Sequence, residues 1–345
     1  MTRVAVGRVA LVALVGLALA SGDIGCRRAR TSRPFTRAAV LAELRDRFPG
    51  VSLPPDEAVP GVDDRLDLRY VRRDGRDLLL DVFMPAGAGP YPGVIVVHGG
   101  AWKSGDRAME RPLARQLAAR GFVAATVGYR LGPEGRFPNA LFDLKAAVRW
   151  LRANAGAYRL SAARIGAVGA SAGGQLVALA GATNGDPAYE DAPALEDTPA
   201  LEGASAVAAS GRAGVTSDLG AVVDIDGLAD FTDSALLAKE NREAGAPSQF
   251  LGGGFAARAE TWRAASALLH VGARSAPTLF INSAGPSPIP SPILPGRAEM
   301  RDRLRALGID SEIVVFPGTP HPFWLVNPWF TPTVEEAARF LHRHL

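Results

Sequence analysis

Gly169-Ala170-Ser171-Ala172-Gly173 is a G-x-S-x-G pentapeptide with an apolar stretch before it and a helix-forming stretch after it. Chemistry on a serine needs the hydroxyl held out on a tight turn. Small residues two before and two after let the flanking strand and helix approach around such a turn. The helix that begins beyond it supplies free N–H groups and a positive dipole end, both of which favour developing negative charge. Ser171 is therefore the candidate nucleophile for acyl transfer. Upstream, His98-Gly99-Gly100-Ala101-Trp102 directly follows the apolar run Gly93 to Val97. Adjacent glycines let backbone N–H groups point into a pocket, so Gly99, Gly100 and Ala172 are the expected oxyanion hole. A plain turn serine and a flexible glycine turn explain each motif alone, but not their occurrence together.

The nucleophile needs a base, and the chain has five histidines. His98 sits inside the glycine motif and reads as structural. His342 and His344 belong to the end of the last helix, and His270 to helical sequence ahead of the final strands. His321 lies in Gly318-Thr319-Pro320-His321-Pro322-Phe323-Trp324, a loop fixed by two prolines after an apolar strand, and the order serine then histidine suits a base presented from a late loop. Trp102 and Trp324, next to these motifs, are candidate walls for an aryl acyl group or a sugar ring, with core packing as the alternative.

The elements that must position these residues alternate. Leu66 to Arg72 and Leu78 to Met84 read as strands around an Asp74-Gly75 turn. Gly93 to Val97, Phe122 to Val127, Arg164 to Val168, Ala221 to Ile225, Thr278 to Ile281 and Glu312 to Phe316 read as further strands. Helices are expected over 107–120, from Pro138 past Leu151, over 172–182 and 297–307, and from Val334 to His344. Leu141, Leu144, Val148 and Leu151 share one helix face. This alternation implies an α/β fold with a mostly parallel central sheet and helices on both faces. Residues 184–218 and 233–273 break the rhythm and read as insertions near the site.

Further motifs carry a resemblance. His98 to Trp102, then Tyr129-Arg130, Phe137-Pro138, Asp143, Trp150-Leu151-Arg152, Arg164-Ile165-Gly166 and Gly169 to Gly174 resemble α/β-hydrolase esterases of the hormone-sensitive-lipase and acetyl-xylan-esterase-like type. Asp224-Ile225-Asp226-Gly227 and Pro320 to Trp324 look closer to a bacterial branch of feruloyl and acetyl esterases acting on plant polysaccharides. The resemblance runs from about Asp67 to the C-terminus. It implies the α/β-hydrolase fold, an exported enzyme without a cofactor, and a Ser-His-acid mechanism.

The acid departs from that pattern. These esterases usually carry an Asp shortly after the strand equivalent to Thr278 to Ile281, but no acidic residue lies between Asn282 and Ala298 here. Glu299, at the start of the next helix, is the expected acid of a triad with Ser171 and His321, and a first-turn carboxylate stabilised by the helix dipole is its bland alternative. Asp226, at the end of a neighbouring strand, is the alternative acid, and Asp224 should face the opposite way by strand alternation. A chain with no completing carboxylate would be a weaker enzyme or a binder.

The whole chain carries a net charge of +3 over 345 residues. Arg3 and Arg8 precede an uncharged run, Val9 to Ala20, that ends in Ala18-Leu19-Ala20. This reads as a signal peptide over residues 1–20, too short to span a bilayer. Residues 21–60 read as a basic tether and connector, and 61–345 as the catalytic domain. Five arginines and one aspartate occupy residues 21–37, so the remainder is net acidic. That split suits a solvated tether near a membrane and excludes a nucleic-acid-binding face. The only cysteine, Cys26, cannot form an internal disulfide, and is a candidate for lipid attachment although Asp23 stands where bacterial lipoproteins usually carry an aliphatic residue. No metal site or phosphate loop is expected: ligand-spaced clusters are missing, and the Gly252 run lacks a strand-turn-helix setting. The expectation is a secreted or envelope-located serine esterase acting on small-molecule or carbohydrate esters. An amidase, formamidase or exopeptidase on the same fold and a non-catalytic secreted binding protein are the alternatives; the sequence leaves the oligomeric state open.

Overall fold

The first two strands form a hairpin whose turn is dictated by its residues. Strand β1 (Val62–Arg73) and strand β2 (Arg76–Pro85) are joined by Asp74 and Gly75, both at positive φ (50° and 77°). A two-residue turn with both residues left-handed matches the twist of the strands it connects, and an Asp-Gly pair tolerates it. The computed structural model describes residues 35–191, 215–242, 245–284 and 295–345. The expected leader, Cys26, most of the basic tether, and residues 192–214 of the first insertion lie outside these.

Six more strands follow: β3 (Tyr91–Val97), β4 (Val123–Val127), β5 (Leu160–Ala170), β6 (Val222–Ile225), β7 (Thr278–Ala284) and β8 (Ser311–Pro317). They form one eight-stranded sheet in the order β1-β2-β4-β3-β5-β6-β7-β8. β2 runs antiparallel to β1 and β4, and every other pairing is parallel. Every residue of β4 and β6 is buried, as continuous apolar strands covered on both faces must be.

Two apolar clusters cover the sheet. One face packs α3 (Asn139–Ala153), α4 (Ala172–Ala182) and α8 (Arg297–Ala306); the other packs α1 (Arg37–Leu44), α2 (Arg111–Ala118) and α9 (Phe330–His344). The expected helix over 107–120 is divided into a 3-10 turn, Arg107–Glu110, and α2, because Pro112 lacks the N–H that would continue a helix across it. The insertion at 233–273 forms α5 (Ser234–Arg242), α6 (Ala246–Phe250) and α7 (Phe255–Ala264), with Gly252 to Gly254 breaking the last two apart. This is the α/β-hydrolase fold.

Candidate active site

Ser171 sits between β5 and α4 with φ 54° and ψ −115°, a backbone conformation few L-residues adopt. Its glycines explain how the turn closes. A Cβ on Gly169 would lie 2.2 Å from the carbonyl oxygen of Gly173, and one on Gly173 would lie 2.2 Å from that of Val97. The strained turn is held from the side as well, since the Ser171 N–H donates to the Ile225 carbonyl at 2.7 Å. Ala172 opens α4, so its N–H is among the first-turn donors that find no acceptor within the helix. Gly100, Ala101 and Trp102 all have positive φ (119°, 54° and 58°), which curls this segment beside the elbow. A Cβ on Gly99 would stand 3.1 Å from that of Ser171. Gly99 and Ala172 thus lie in segments that meet at the serine, with Gly100 next along the curled loop.

His321 Nε2 is 2.8 Å from Ser171 Oγ, and His321 Nδ1 is 3.0 Å from Asp226 Oδ2. The carboxylate on the histidine belongs to Asp226, so Glu299 is corrected. The reason is helical rotation. Arg297 points into the core from the first residue of α8, with Met300 and Leu304 on the same face; Glu299, two residues on, is turned by about 200° and is exposed.

Asp226 follows β6 at φ 51°, with its N–H donating to Ile281 at 2.9 Å. Ser283, at the end of β7, donates to it twice: N–H to Oδ1 at 2.8 Å and O–H to Oδ2 at 2.6 Å. The Arg297 guanidinium lies 3.8 Å from Oδ1. Burial alone would raise this carboxyl, but hydrogen bonding and charge from His321, the Arg297 charge and the Ser283 hydroxyl outweigh it and hold it below the usual carboxylate range. The acid is thus kept ionised in a buried place, facing the imidazole.

Arg297 and Ser283 are the site residues that sequence reasoning missed. The Arg297 side chain is fully buried. It donates to the Gly227 carbonyl at 2.7 Å and to Asp224 Oδ1 at 2.7 Å, and also hydrogen-bonds Asn282 Oδ1. The expectation that Asp224 faces away from Asp226 is corrected: residues two apart share a face of a strand, and both carboxylates meet the Arg297 guanidinium, Asp224 at 2.7 Å and Asp226 at 3.8 Å. The buried Asp224 carboxyl is raised by desolvation that Arg297 only partly offsets. The signal available in the sequence was the pair Asp224-x-Asp226 at a strand end, together with an arginine directly after the proline-rich segment and Gly296.

Other expectations sort by contact. His98 is buried, stacks on Tyr129 at 4.5 Å and has Nδ1 2.7 Å from the Gly99 carbonyl; burial pushes its imidazole down to about 4, so it is neutral and structural. His270 hydrogen-bonds Tyr189, His342 the Arg120 carbonyl and His344 Asp310, all away from Ser171. Trp324 is corrected as a substrate wall. It is 1% exposed, stands edge-on behind His321 at 5.4 Å, and donates to buried Glu110 at 3.2 Å, so it backs the base. Trp102 is largely buried too, but it lines a cavity beside the site. Among the described residues, no cluster of three or more His, Cys, Asp and Glu side chains is arranged to hold a metal ion.

A strained serine, a histidine within hydrogen-bond reach on one side and an ionised carboxylate on its other nitrogen can activate a hydroxyl for attack on a carbonyl carbon. Comparison with known proteins points the same way. The BD-FAE family profile matches residues 80–290. Esterase LipC of Mycobacterium tuberculosis is 37% identical over 177 residues, 47% of this chain and 43% of that protein. The chain spans less than half the length of the curated relatives it matches. Two solved structures share the fold. The thermophilic esterase Est2 of Thermogutta terrifontis has a TM-score of 0.62 at 23% identity, covering 82% of this chain and 92% of that one. A truncated carbohydrate esterase from gut microbiota has a TM-score of 0.63 at 22% identity, covering 84% of this chain and all of the other.

Proposed function

The chain belongs to the BD-FAE family, and on that premise we propose that it is a serine carboxylic-ester hydrolase with Ser171 as nucleophile, His321 as general base and Asp226 as the orienting acid. The observation that carries this reading is the unbroken relay from Ser171 Oγ through both nitrogens of His321 to Asp226.

In the first half-reaction His321 Nε2 takes the Ser171 proton as Oγ attacks the ester carbonyl. The tetrahedral oxyanion is held by the N–H groups of Gly99, Gly100 and Ala172. His321 then gives its proton to the leaving alkoxide, the carbon–oxygen bond breaks, and the acyl group stays on Ser171. Water, deprotonated by the same nitrogen, hydrolyses the acyl-enzyme and regenerates the serine. Throughout, Asp226 fixes the tautomer with the proton on Nδ1 and stabilises the imidazolium that forms twice per turnover.

For the substrate we propose acetyl or other small acyl and aryl esters of carbohydrates. The motif resemblance to feruloyl and acetyl esterases, the family match and the shared fold with a carbohydrate esterase support it. Export through the leader at residues 1–20 to the periplasm, envelope or medium, with or without a lipid on Cys26, belongs to the same reading.

The test is hydrolysis of 4-nitrophenyl acetate and butyrate, and release of acetate from acetylated xylo-oligosaccharides, by the purified chain and by Ser171→Ala. Turnover that disappears in the variant is expected. Absent turnover, or turnover that survives Ser171→Ala, would defeat the proposal, and faster cleavage of matched amides would redirect it to an amidase.

A further inference from the structure

Three segments that leave the C-terminal ends of β3 and β4 or belong to the inserted helices enclose a cavity of about 320 Å³. They are tied to one another by the main chain. Gly132 N–H donates to the Trp102 carbonyl at 2.8 Å, and Phe137 N–H to that of Phe250 at 3.0 Å. Trp102 and Phe250, stacked at 4.7 Å with their planes 10° apart, give the cavity an aromatic wall, and Pro133 adds another apolar face. The Trp102 indole N–H donates to Gln175 at 3.1 Å, on the helix that Ser171 caps, so the wall is fixed relative to the nucleophile. Ligands of α/β sheets bind at this strand edge.

The polar lining is one-sided. Lys103, Arg136 and Gln249 line the cavity, and no carboxylate does among the described residues. The acid of the same loop, Glu134, is engaged by Arg76 at 2.9 Å. Lys103 and Arg136 are exposed, and their side chains have no ion-pair or hydrogen-bond partner among the described residues. Arginines of the flanking segments behave otherwise: Arg107 is held by Asp81 and Arg130 by Asp143. Two unpaired cations around an aromatic slot repel each other and raise the local concentration of anions.

We propose that this cavity is a subsite for a carboxylate-bearing ester, with Trp102 and Phe250 receiving its apolar or aryl body and Lys103 and Arg136 its negative charge. The inference rests on the esterase reading and adds the substrate class. The planar fork of Arg136 and the amide of Gln249 suit a planar carboxylate, while Lys103 supplies a point charge. The carboxylate can sit on the acyl part of the ester or on its alcohol part, as in an acidic sugar.

Binding to the full chain carrying Ser171→Ala, measured by titration calorimetry, tests this apart from turnover. One pair is 4-acetoxybenzoate against 4-acetoxybenzamide, with the charge on the alcohol part. The other is the mono-4-nitrophenyl ester of glutaric acid against 4-nitrophenyl pentanoate, with the charge on the acyl part. The anionic member of at least one pair is expected to bind about tenfold more tightly, an advantage that falls toward unity in about 0.5 M salt and when Lys103→Ala and Arg136→Ala are added. Equal binding within both pairs, or a preference that persists without the two cations, would overturn the proposal. If the preference is found while no member of either pair shows Ser171-dependent hydrolysis, the subsite stands and the esterase reading falls.

Discussion

Asp226 carries the chemical weight that the sequence pattern would have assigned elsewhere. Its carboxyl is held below the ordinary range by its partners, so at neutral pH it faces His321 as an anion. Asp226→Asn keeps the shape but favours the wrong imidazole tautomer. It is expected to lower kcat on 4-nitrophenyl acetate by about 10⁴, whereas Glu299→Gln, at an exposed helix position, should stay within about twofold. Behind the base, burial pushes Glu110 up to about 7, against the opposing pull of the Trp324 N–H and the Arg37 charge. The unfolded chain loses that proton near 4.5; the folded state holds more protons between there and 7, and stability falls as pH rises through that window. His98 acts in the opposite sense. Burial brings it down from 6.5 to about 4, so its contribution is lost as pH falls. Each is worth about 3 kcal/mol, and over about pH 4.5 to 6.5 they largely cancel. Glu110→Gln, which retains an acceptor for Trp324, should therefore give a melting temperature that rises across this range more steeply than in wild type. A profile parallel to wild type would refute the assignment. Ser171, His321 and the glycines were legible because each lies in a local motif whose backbone demands are written in its neighbours. The acid was legible only as the alternative to Glu299, because its meeting with His321, 95 residues along the chain, is decided by sheet register.

That register is the business of three strand ends. Ala170, Ile225 and Ile281 pair across β5, β6 and β7, and one residue further the Ser171 and Asp226 N–H groups continue the ladder to Ile225 and Ile281. Nucleophile and acid are thereby presented in step at one edge of the sheet. Arg297 closes the arrangement from α8 by binding Asp224, the Gly227 carbonyl and Asn282 in the fully buried layer beneath. Arg297→Met would leave Asp224 as an uncompensated buried charge, and a loss of about 3–5 kcal/mol in urea unfolding is expected. Adding Asp224→Asn should restore part of it, and the absence of any recovery would show that the pair is not coupled. Most strands were legible from continuous apolar runs, and α4 from its place after the elbow. The division at Arg107–Glu110 and the fully buried arginine of α8 were not: a proline near a helix start is compatible with either boundary, and an arginine in a helix with several others reads as solvated.

At the scale of the molecule, a sheet buried on both faces puts the elbow, the glycine segment, the acid and the histidine on loops at one edge, and the insertion at 233–273 builds part of the wall beside them. The proposed export has its own consequence. Chain recovered from a bacterial envelope or medium should begin at Ser21, or at an acylated Cys26, by intact mass; a chain still beginning at Met1 would oppose it. The central claim is that Ser171 is activated by His321 and Asp226, and covalent capture tests it most directly. After treatment with a fluorophosphonate, mass spectrometry of the digested protein should find one adduct, on the peptide containing Ser171, absent after His321→Ala and formed far more slowly after Asp226→Asn. An unmodified Ser171, or labelling that proceeds at the same rate in those variants, would contradict the account.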